Sequence, residues 1–307
     1  MTFTFRLLKP SERPEFKAFH NTLFPNTGAS DAWFEWYFDR IGAGLTRVHA
    51  AFDGNEIVGT WCVEPKDLMT DHGSTLKVGR CFAVGIHPNY RRNGLFVDLS
   101  KHAIDVEKAL TQYEYILGFP QEGKPVIAGH LKAGWDYVQR IDIKSFELAK
   151  PKKFVSLNDV KRVHDFTQLP FVQRRNIGGF ADTSEYRNLR WIEHPDNHYI
   201  CLNIGESYIV LKPYATACHI LDIHGTYEQV RHLLDATKTL AWRHRWQEVT
   251  IWSADNDYHV ADVRACDFVD GATCGLPVEL LAIKINASTS LKKFELTSWG
   301  MGSEEGY

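Results

Sequence analysis

The stretch Arg91-Arg92-Asn93-Gly94 carries the clearest chemistry in the sequence. It follows His87-Pro88-Asn89-Tyr90, which breaks an apolar run ending in Val84-Gly85-Ile86, and it leads directly into an amphipathic segment at Leu95-Phe96. The first turn of a helix exposes backbone N–H groups that have no intrahelical acceptor, and it bears a partial positive charge. Gly94 lets a ligand come close to that backbone. Arg91 and Arg92 add guanidinium groups, which grip phosphate oxygens through paired hydrogen bonds. Together these features describe a cradle for a pyrophosphate. The alternative is an ordinary strand–turn–helix connection with solvated arginines. The loop lacks the Gly-Lys-Ser/Thr ending of a nucleoside-triphosphate loop and the triple-glycine dinucleotide fingerprint.

Proton-transfer candidates are fewer. His130, in a short helical stretch, is a candidate because an unperturbed imidazole titrates in the range where acid–base catalysis operates. Glu64 and Asp67 end a hairpin strand and are candidate bases for an incoming amine. Asp31 and Glu35 would face the same cleft only if the first helices cover it, and Asp31 reads better as a helix cap. Cys81 lies beside the loop but reads as a buried thiol. Neither an HExxH zinc motif nor a GxSxG nucleophile elbow is present, and the 14 histidines are dispersed, so no metal is expected.

The elements that must position these residues follow from periodicity and punctuation. Phe3, Phe5 and Leu7 alternate as in a strand. Ser11 to Phe24 reads as a helix, and Ser30-Asp31 starts a second whose Trp33, Phe34, Tyr37, Phe38 and Ile41 face a core. Val48 to Phe52 and Glu56 to Val63 form a hairpin across Asp53-Gly54-Asn55. A strand from Leu76 to Gly85, a helix from Gly94 to Leu110, a strand from Tyr115 to Phe119 and a short helix from Pro125 to Ala133 follow. Trp135 to Ala149 reads as one long strand, and Lys150-Pro151-Lys152-Lys153 as a linker.

The second half repeats this order. A helix spans Ser184 to Glu193, and a hairpin joins Tyr199–Ile204 to Tyr208–Lys212. Then come a strand from Cys218 to Ile223, a long helix from Thr226 to His244, a strand from Val249 to Trp252, a helix from Asp257 to Ala265 and a last strand from Pro277 to Ile285. The expected fold is α+β with mixed sheets, in two units, residues 1–149 and 150–307.

Composition bounds the class. At roughly 150 residues per domain, 307 residues accommodate two. Hydrophobic residues make up 44% and charged residues 24%, enough for a sizeable core. The formal net charge of −3 argues against a long nucleic acid as main partner. No run reaches the roughly 18 apolar residues of a membrane span, and Met1 to Phe16 lacks the order of a signal peptide. The six cysteines lack close metal-ligand spacing and read as reduced thiols, which points to the cytoplasm.

Pro88-x-Tyr90-Arg91-Arg92-x-Gly94-Leu95, between a strand and a helix, resembles the acyl-CoA pyrophosphate loop of the GNAT (GCN5-related N-acetyltransferase) superfamily, whose pattern is Gln/Arg-x-x-Gly-x-Gly/Ala. Arg91 and Gly94 match its first two fixed positions, and Phe96 departs from the last small residue. The resemblance implies that Val84, Gly85 and Ile86 pair with the pantetheine arm, that the amides of Arg91, Arg92, Asn93, Gly94, Leu95 and Phe96 bind the pyrophosphate, and that a backbone N–H near Val84 stabilises the oxyanion. The second half is similar to the degenerate GNAT-like domain of tandem members. Tyr186-Arg187-x-Leu189-Arg190-Trp191 and the tail Trp299-Gly300-Met301-Gly302-Ser303 carry that likeness, while His224-Gly225-Thr226-Tyr227 has no arginine. The implied co-substrate is therefore acyl-CoA, bound in the first half only.

The resemblance further implies direct transfer of an acyl group to the amine of a small molecule by a monomer or homodimer. A nucleotide-linked amino sugar of surface-polysaccharide biosynthesis is the expected acceptor. An aminoacyl-tRNA-dependent peptide-bridge transferase, a protein-lysine acetyltransferase and a non-catalytic acyl-CoA-binding protein are the other readings. Tyrosine, the family's usual acid, is absent between Gly118 and Gly134.

Overall fold

The structure is a computed structural model that describes residues 2–25, 30–41, 44–70, 73–147, 155–169, 179–180, 182–288 and 291. Lys150 to Lys153 and the tail from Trp299 to Ser303 lie outside the described residues.

The chain opens with β1 (Thr4–Leu7), α1 (Arg13–Leu23) and α2 (Asp31–Glu35). Ser30 caps α2 by accepting a hydrogen bond from the Trp33 amide at 2.9 Å. The helix then widens into a π-helical turn, Trp36–Ile41, that buries Trp36, Tyr37, Phe38 and Ile41. A meander follows: β2 (Arg47–Asp53), β3 (Glu56–Met69) and β4 (Thr75–Ile86). Next are α3 (Leu95–Leu110), β5 (Tyr115–Gly118), α4 (Pro125–Lys132), β6 (Asp136–Ile141) and β7 (Ile143–Glu147). The second half contains β8 (Lys161–Arg162), β9 (Gly179–Phe180), α5 (Ser184–Arg187) with a π-helical turn Asn188–Ile192, β10 (Ile200–Ile204), β11 (Ser207–Tyr214) and β12 (Ala217–His224). It ends with α6 (Tyr227–His244), β13 (Glu248–Trp252), α7 (Val260–Ala265), β14 (Val269–Asp270) and β15 (Val278–Lys284).

Two mixed sheets result, in keeping with the expected class. One runs β1-β2-β3-β4-β5-β15-β6 with β9 on β3; the other runs β14-β7-β13-β12-β11-β10-β8. Helix α3 packs on one face of the first sheet through Leu95, Leu99 and Ala103, against Trp61, Val63 and Ile116. The opposite face is covered in part by Phe16, Phe34, Tyr37 and Phe38. Helix α6 covers the second sheet through Val230, Leu233 and Leu234. Another core joins the sheets, with Leu68, Val78, Leu117 and Leu280 from the first meeting Val210, Leu221 and Trp252 from the second.

Two expectations need correction. Trp135 to Ala149 is not one strand. The chain breaks at Asp142, whose carbonyl accepts from the Ser253 amide at 2.9 Å, and β7 crosses to pair with β13. Pro277 to Ile285 is a strand, but β15 inserts between β5 and β6 of the first sheet. Alternation of apolar residues specifies that a strand has a buried face, not which sheet receives it.

Candidate active site

The β3–β4 hairpin builds the site. Strand β4 pairs in parallel with β5 only where Val78–Arg80 meet Tyr115–Leu117. From Cys81 to Ile86, its side towards β5 has no strand partner among the described residues. On its other side the register slips: Gly85 faces Thr60 and Phe82 faces Cys62, leaving an extra residue on β4. Ala83 takes that strain with φ of 44°, a left-handed conformation that costs a non-glycine residue roughly 1–2 kcal/mol. Its carbonyl accepts from Thr60 Oγ1 at 3.1 Å. Such a bulge bends the strand, so β4 and β5 form a fork that opens past Arg80.

The Arg91–Gly94 loop lies at the far end of the fork. Tyr90 OH donates to Asp53 Oδ2 at 3.0 Å, tying the loop to the β2–β3 hairpin. Arg91 Nε donates to the Ile86 carbonyl at 3.0 Å, so this arginine also braces the turn. Arg92 and Gly94 have φ of 68° and 77°. Residues Arg91 to Gly94 are exposed, and Leu95 anchors the helix in the core. A Cβ on Gly94 would meet nothing nearer than Asp98 Oδ2 at 4.0 Å, so the loop is open at that point. Phe96 turns its ring away, onto Gly129, where an added Cβ would come within 2.5 Å of it. The bulky residue at a position where the loop pattern has a small one is thus accommodated by a glycine on α4.

A charged cluster sits at the base of the fork, on the sheet face opposite α3. Glu64 on β3 is cross-strand from Arg80 on β4, with Nε 2.8 Å from Oε1. The two side chains are 1% and 2% exposed. Arg80 Nη2 donates to the Tyr37 hydroxyl at 2.5 Å. Lys66 Nζ lies 3.6 Å from Glu64 Oε1 and 3.8 Å from Asp182 Oδ1, and 3.6 Å from the centroid of the Tyr186 ring. Burial opposes the charge on Lys66, but Tyr186, Glu64 and Asp182 together outweigh it and raise its pKa. Burial raises the Tyr37 hydroxyl well above the usual phenol range, so it stays a neutral donor and acceptor. Glu64 Oε2 is buried with no hydrogen-bond partner among the described residues. A buried carboxylate oxygen in that condition is costly unless something binds it.

Of the candidate catalytic residues, the structure brings only Glu64 to this place. Asp67 lies farther along the hairpin, with its carboxylate 2.7 Å from Lys77 Nζ on the surface. His130 is 3% exposed, packed between Phe96 and Trp135 at ring separations of 5.2 and 4.4 Å. Burial lowers its pKa to about 4. It is thus a buried residue held between two aromatic rings, apart from the charged cluster of Glu64 and Arg80. Asp31 pairs with Lys17. Burial pushes the Cys81 thiol far up, as expected of a core residue.

Sequence reasoning missed Tyr37, Lys66, Arg80, Asp182 and Tyr186. Glu64, Lys66 and Arg80 were visible as charges in strand runs whose neighbours are apolar. Tyr37 was hidden in an aromatic stripe, and Asp182 and Tyr186 come from the other half of the chain.

Residues 4–125 match the family of acetyltransferase (GNAT) domains. A tandem GNAT protein of the clavulanic acid biosynthesis pathway aligns with 94% of this chain over 100% of its own, at 12% identity and a TM-score of 0.58. Residues 4–125 thus match a GNAT domain, and the fold of the chain is similar to that of a tandem GNAT protein. A GCN5-related N-acetyltransferase from Anabaena variabilis aligns with 93% of this chain over 73% of its own, at 15% identity and a TM-score of 0.66. A probable N-acyltransferase of unknown function from Enterococcus faecalis gives the same coverage, 11% identity and a TM-score of 0.68. Likeness at such identities concerns the fold. No curated protein matches the sequence.

The second GNAT-like half contains a matching fork, where β12 and β13 pair over Ala217–Ile220 and Glu248–Ile251 and β12 continues to His224. Its helix end is differently built. Ser207 Oγ accepts from the Thr226 amide at 3.1 Å and donates to Gln229 at 2.5 Å. A Cβ on Gly225 would lie 1.8 Å from that hydroxyl. The start of α6 is therefore capped and packed shut. The cavity in this fork measures about 20 Å³, the space of a water molecule.

Proposed function

We propose that the protein is an acyl-CoA-dependent N-acyltransferase whose acceptor is a small-molecule amine, a nucleotide-linked amino sugar. The observation that carries this reading is the fork of β4 and β5, with the bulge at Ala83 at its mouth and the Arg91–Gly94 helix start at its end. In this reading Val84, Gly85 and Ile86 offer backbone groups to the pantetheine arm. The amides of Arg91 to Phe96 and the arginine side chains hold the pyrophosphate. The unit of residues 1–149 binds acyl-CoA, while 150–307 is a degenerate partner, consistent with its capped α6.

Glu64 is the acceptor's anchor. Its Oε2 is free to take an N–H of the acceptor ammonium, and it receives the proton the amine must lose before attack. The nitrogen then bonds to the thioester carbon and the C–S bond breaks; the nitrogen's second proton passes to the departing thiolate as free thiol, and the proton on Glu64 is released to solvent. Asp182 and Tyr186 bring the second half into this acceptor site.

Calorimetric titration with CoA and acetyl-CoA tests the first part. Binding is expected for the wild type and is expected to vanish in Arg91→Ala/Gly94→Trp. No binding by well-folded wild type would end the acyl-CoA reading. Incubation with acetyl-CoA and a panel of nucleotide-linked amino sugars, read by mass, tests the second. Binding of CoA without turnover of any of them would reject that acceptor class.

A further inference from the structure

The fork of the second half gathers polar groups that the proposed chemistry does not use. Pairing between β12 and β13 ends at Ile220 and Ile251. The cavity of about 20 Å³ beyond that point is bounded by Asp222 on β12, by Ser253 just past the end of β13, and by Asp257 and His259 from the turn that follows. Ile223 and Val263 close it with apolar surface.

Ser253 is fixed through its backbone. Its amide donates to the Asp142 carbonyl at 2.9 Å, where the chain crosses from the first sheet to the second. The residue is 1% exposed, and its hydroxyl has no hydrogen-bond partner among the described residues. A buried hydroxyl in that condition is costly unless something small reaches it. His259 is fixed on the other side of the cavity's lining. Its amide donates to Asp257 Oδ1 at 2.8 Å, and its Nδ1 is 3.1 Å from Asp262 Oδ2. Asp262 Oδ1 accepts from Arg231 Nε at 2.7 Å, so this carboxylate is an acceptor and Nδ1 is the donor. With the proton on Nδ1, Nε2 of a neutral imidazole is an acceptor. Asp222 Oδ2 accepts from the Tyr208 hydroxyl at 2.7 Å, and a carboxylate has lone pairs for further donors.

The lining therefore combines a hydroxyl that needs a partner with acceptors on Asp222 and His259. Water answers that set, since it accepts from one group and donates to two. The volume agrees, because one buried water needs about 10–15 Å³ of such space and two to four polar partners. Two carboxylates in the lining oppose an anion. Among the described residues, no group of His, Cys, Asp and Glu is placed to hold a metal ion.

We infer that the fork of the second half holds one buried water molecule, seated on the Ser253 hydroxyl and shared with Asp222 and His259. The water bridges β12 to the segment after β13 where the strands no longer pair. A hydrogen-bonded bridge thus closes this fork, whereas the fork of β4 and β5 stays open past Arg80. The inference concerns the second half alone and stands apart from the acyl-CoA reading of the first.

The test is a high-resolution crystal structure of the full chain, with a second data set from crystals soaked in rubidium chloride. One well-ordered peak is expected about 2.6–3.0 Å from Ser253 Oγ, without anomalous signal at the rubidium edge. Ser253→Ala should lose that peak. A rubidium signal in the cavity would assign the seat to a monovalent cation and overturn the water. Flat density in the wild type, or a direct hydrogen bond from Ser253 to His259, would overturn the seat. A peak that persists unmoved in Ser253→Ala would remove Ser253 from it. The wild-type data decide the matter even if Ser253→Ala fails to fold. A chain that binds no CoA would leave every one of these results unchanged.

Discussion

Glu64 and Arg80 hold each other in a place that water does not reach. Removing one partner strands the other, which costs about 3–5 kcal/mol for a buried pair. Arg80→Met should therefore lower the unfolding free energy by that amount in urea titrations. Glu64→Gln keeps the shape, and it should leave CoA affinity unchanged while reducing turnover by about 100-fold, the scale of lost proton transfer. Equal turnover in Glu64→Gln would remove Glu64 from the chemistry. The buried histidines make a separate prediction. The folded-state values of His130, His194 and His219 lie near 4, 3 and 4, below the ordinary 6.5. The unfolded chain binds more protons below pH 6.5, so their contribution is complete above that pH and is lost as the pH falls towards 4. His130 alone accounts for up to about 3 kcal/mol of this. His130→Phe should flatten the decline in stability between pH 6.5 and 4, measured as urea midpoints across that range. An unchanged slope would mean that the imidazole is not kept neutral by its burial.

At the scale of elements, the pyrophosphate loop depends on how α3 sits against α4. Phe96 occupies the notch over Gly129. Gly129→Ala must displace the ring, and with it the first turn of α3, so CoA affinity should drop about tenfold although Gly129 lies outside the loop. Phe96→Ala together with Gly129→Ala should restore it, whereas continued weakness in the double variant would mean that the ring does not transmit the effect. The loop itself was legible in the sequence, because Pro88, the arginines and Gly94 are local signals that need no tertiary context. The helices were legible for the same reason, as the 3.6-residue spacing of Leu95, Leu99 and Ala103 shows. The charged cluster was not. Glu64 and Arg80 meet only through the register of β3 and β4, and Lys66 meets Asp182 and Tyr186 only through packing across the halves. His130 misled for a related reason: a histidine on a short helix looks available until Trp135 and Phe96 close over it.

At the scale of the molecule, the two halves are interleaved rather than strung together. Strand β15, from the end of the chain, fills the gap between β5 and β6, and β7, from the first half, pairs with β13. Alternation within Trp135 to Ala149 could not reveal this, since a two-residue period is the same in either sheet. The consequence is physical. A chain ending at residue 149 would lack Leu280, Leu281 and Ala282, all buried, and would leave the inner edges of β5 and β6 without their shared neighbour. Unpaired strand edges beside exposed apolar surface favour aggregation over folding. A fragment of residues 1–149 should therefore show no cooperative unfolding transition and should be recovered mainly as aggregate. Co-expression with residues 150–307 should restore a soluble pair that unfolds in one transition, as the intact chain is expected to do. Such cooperativity would also couple the two halves at the site, because Asp182 and Tyr186 reach Lys66 of the cluster built by β3 and β4 only while β15 and β7 keep the sheets in register. A fragment of 1–149 that unfolds sharply on its own would show instead that the exchanged strands are dispensable and that the second half docks as a separate body.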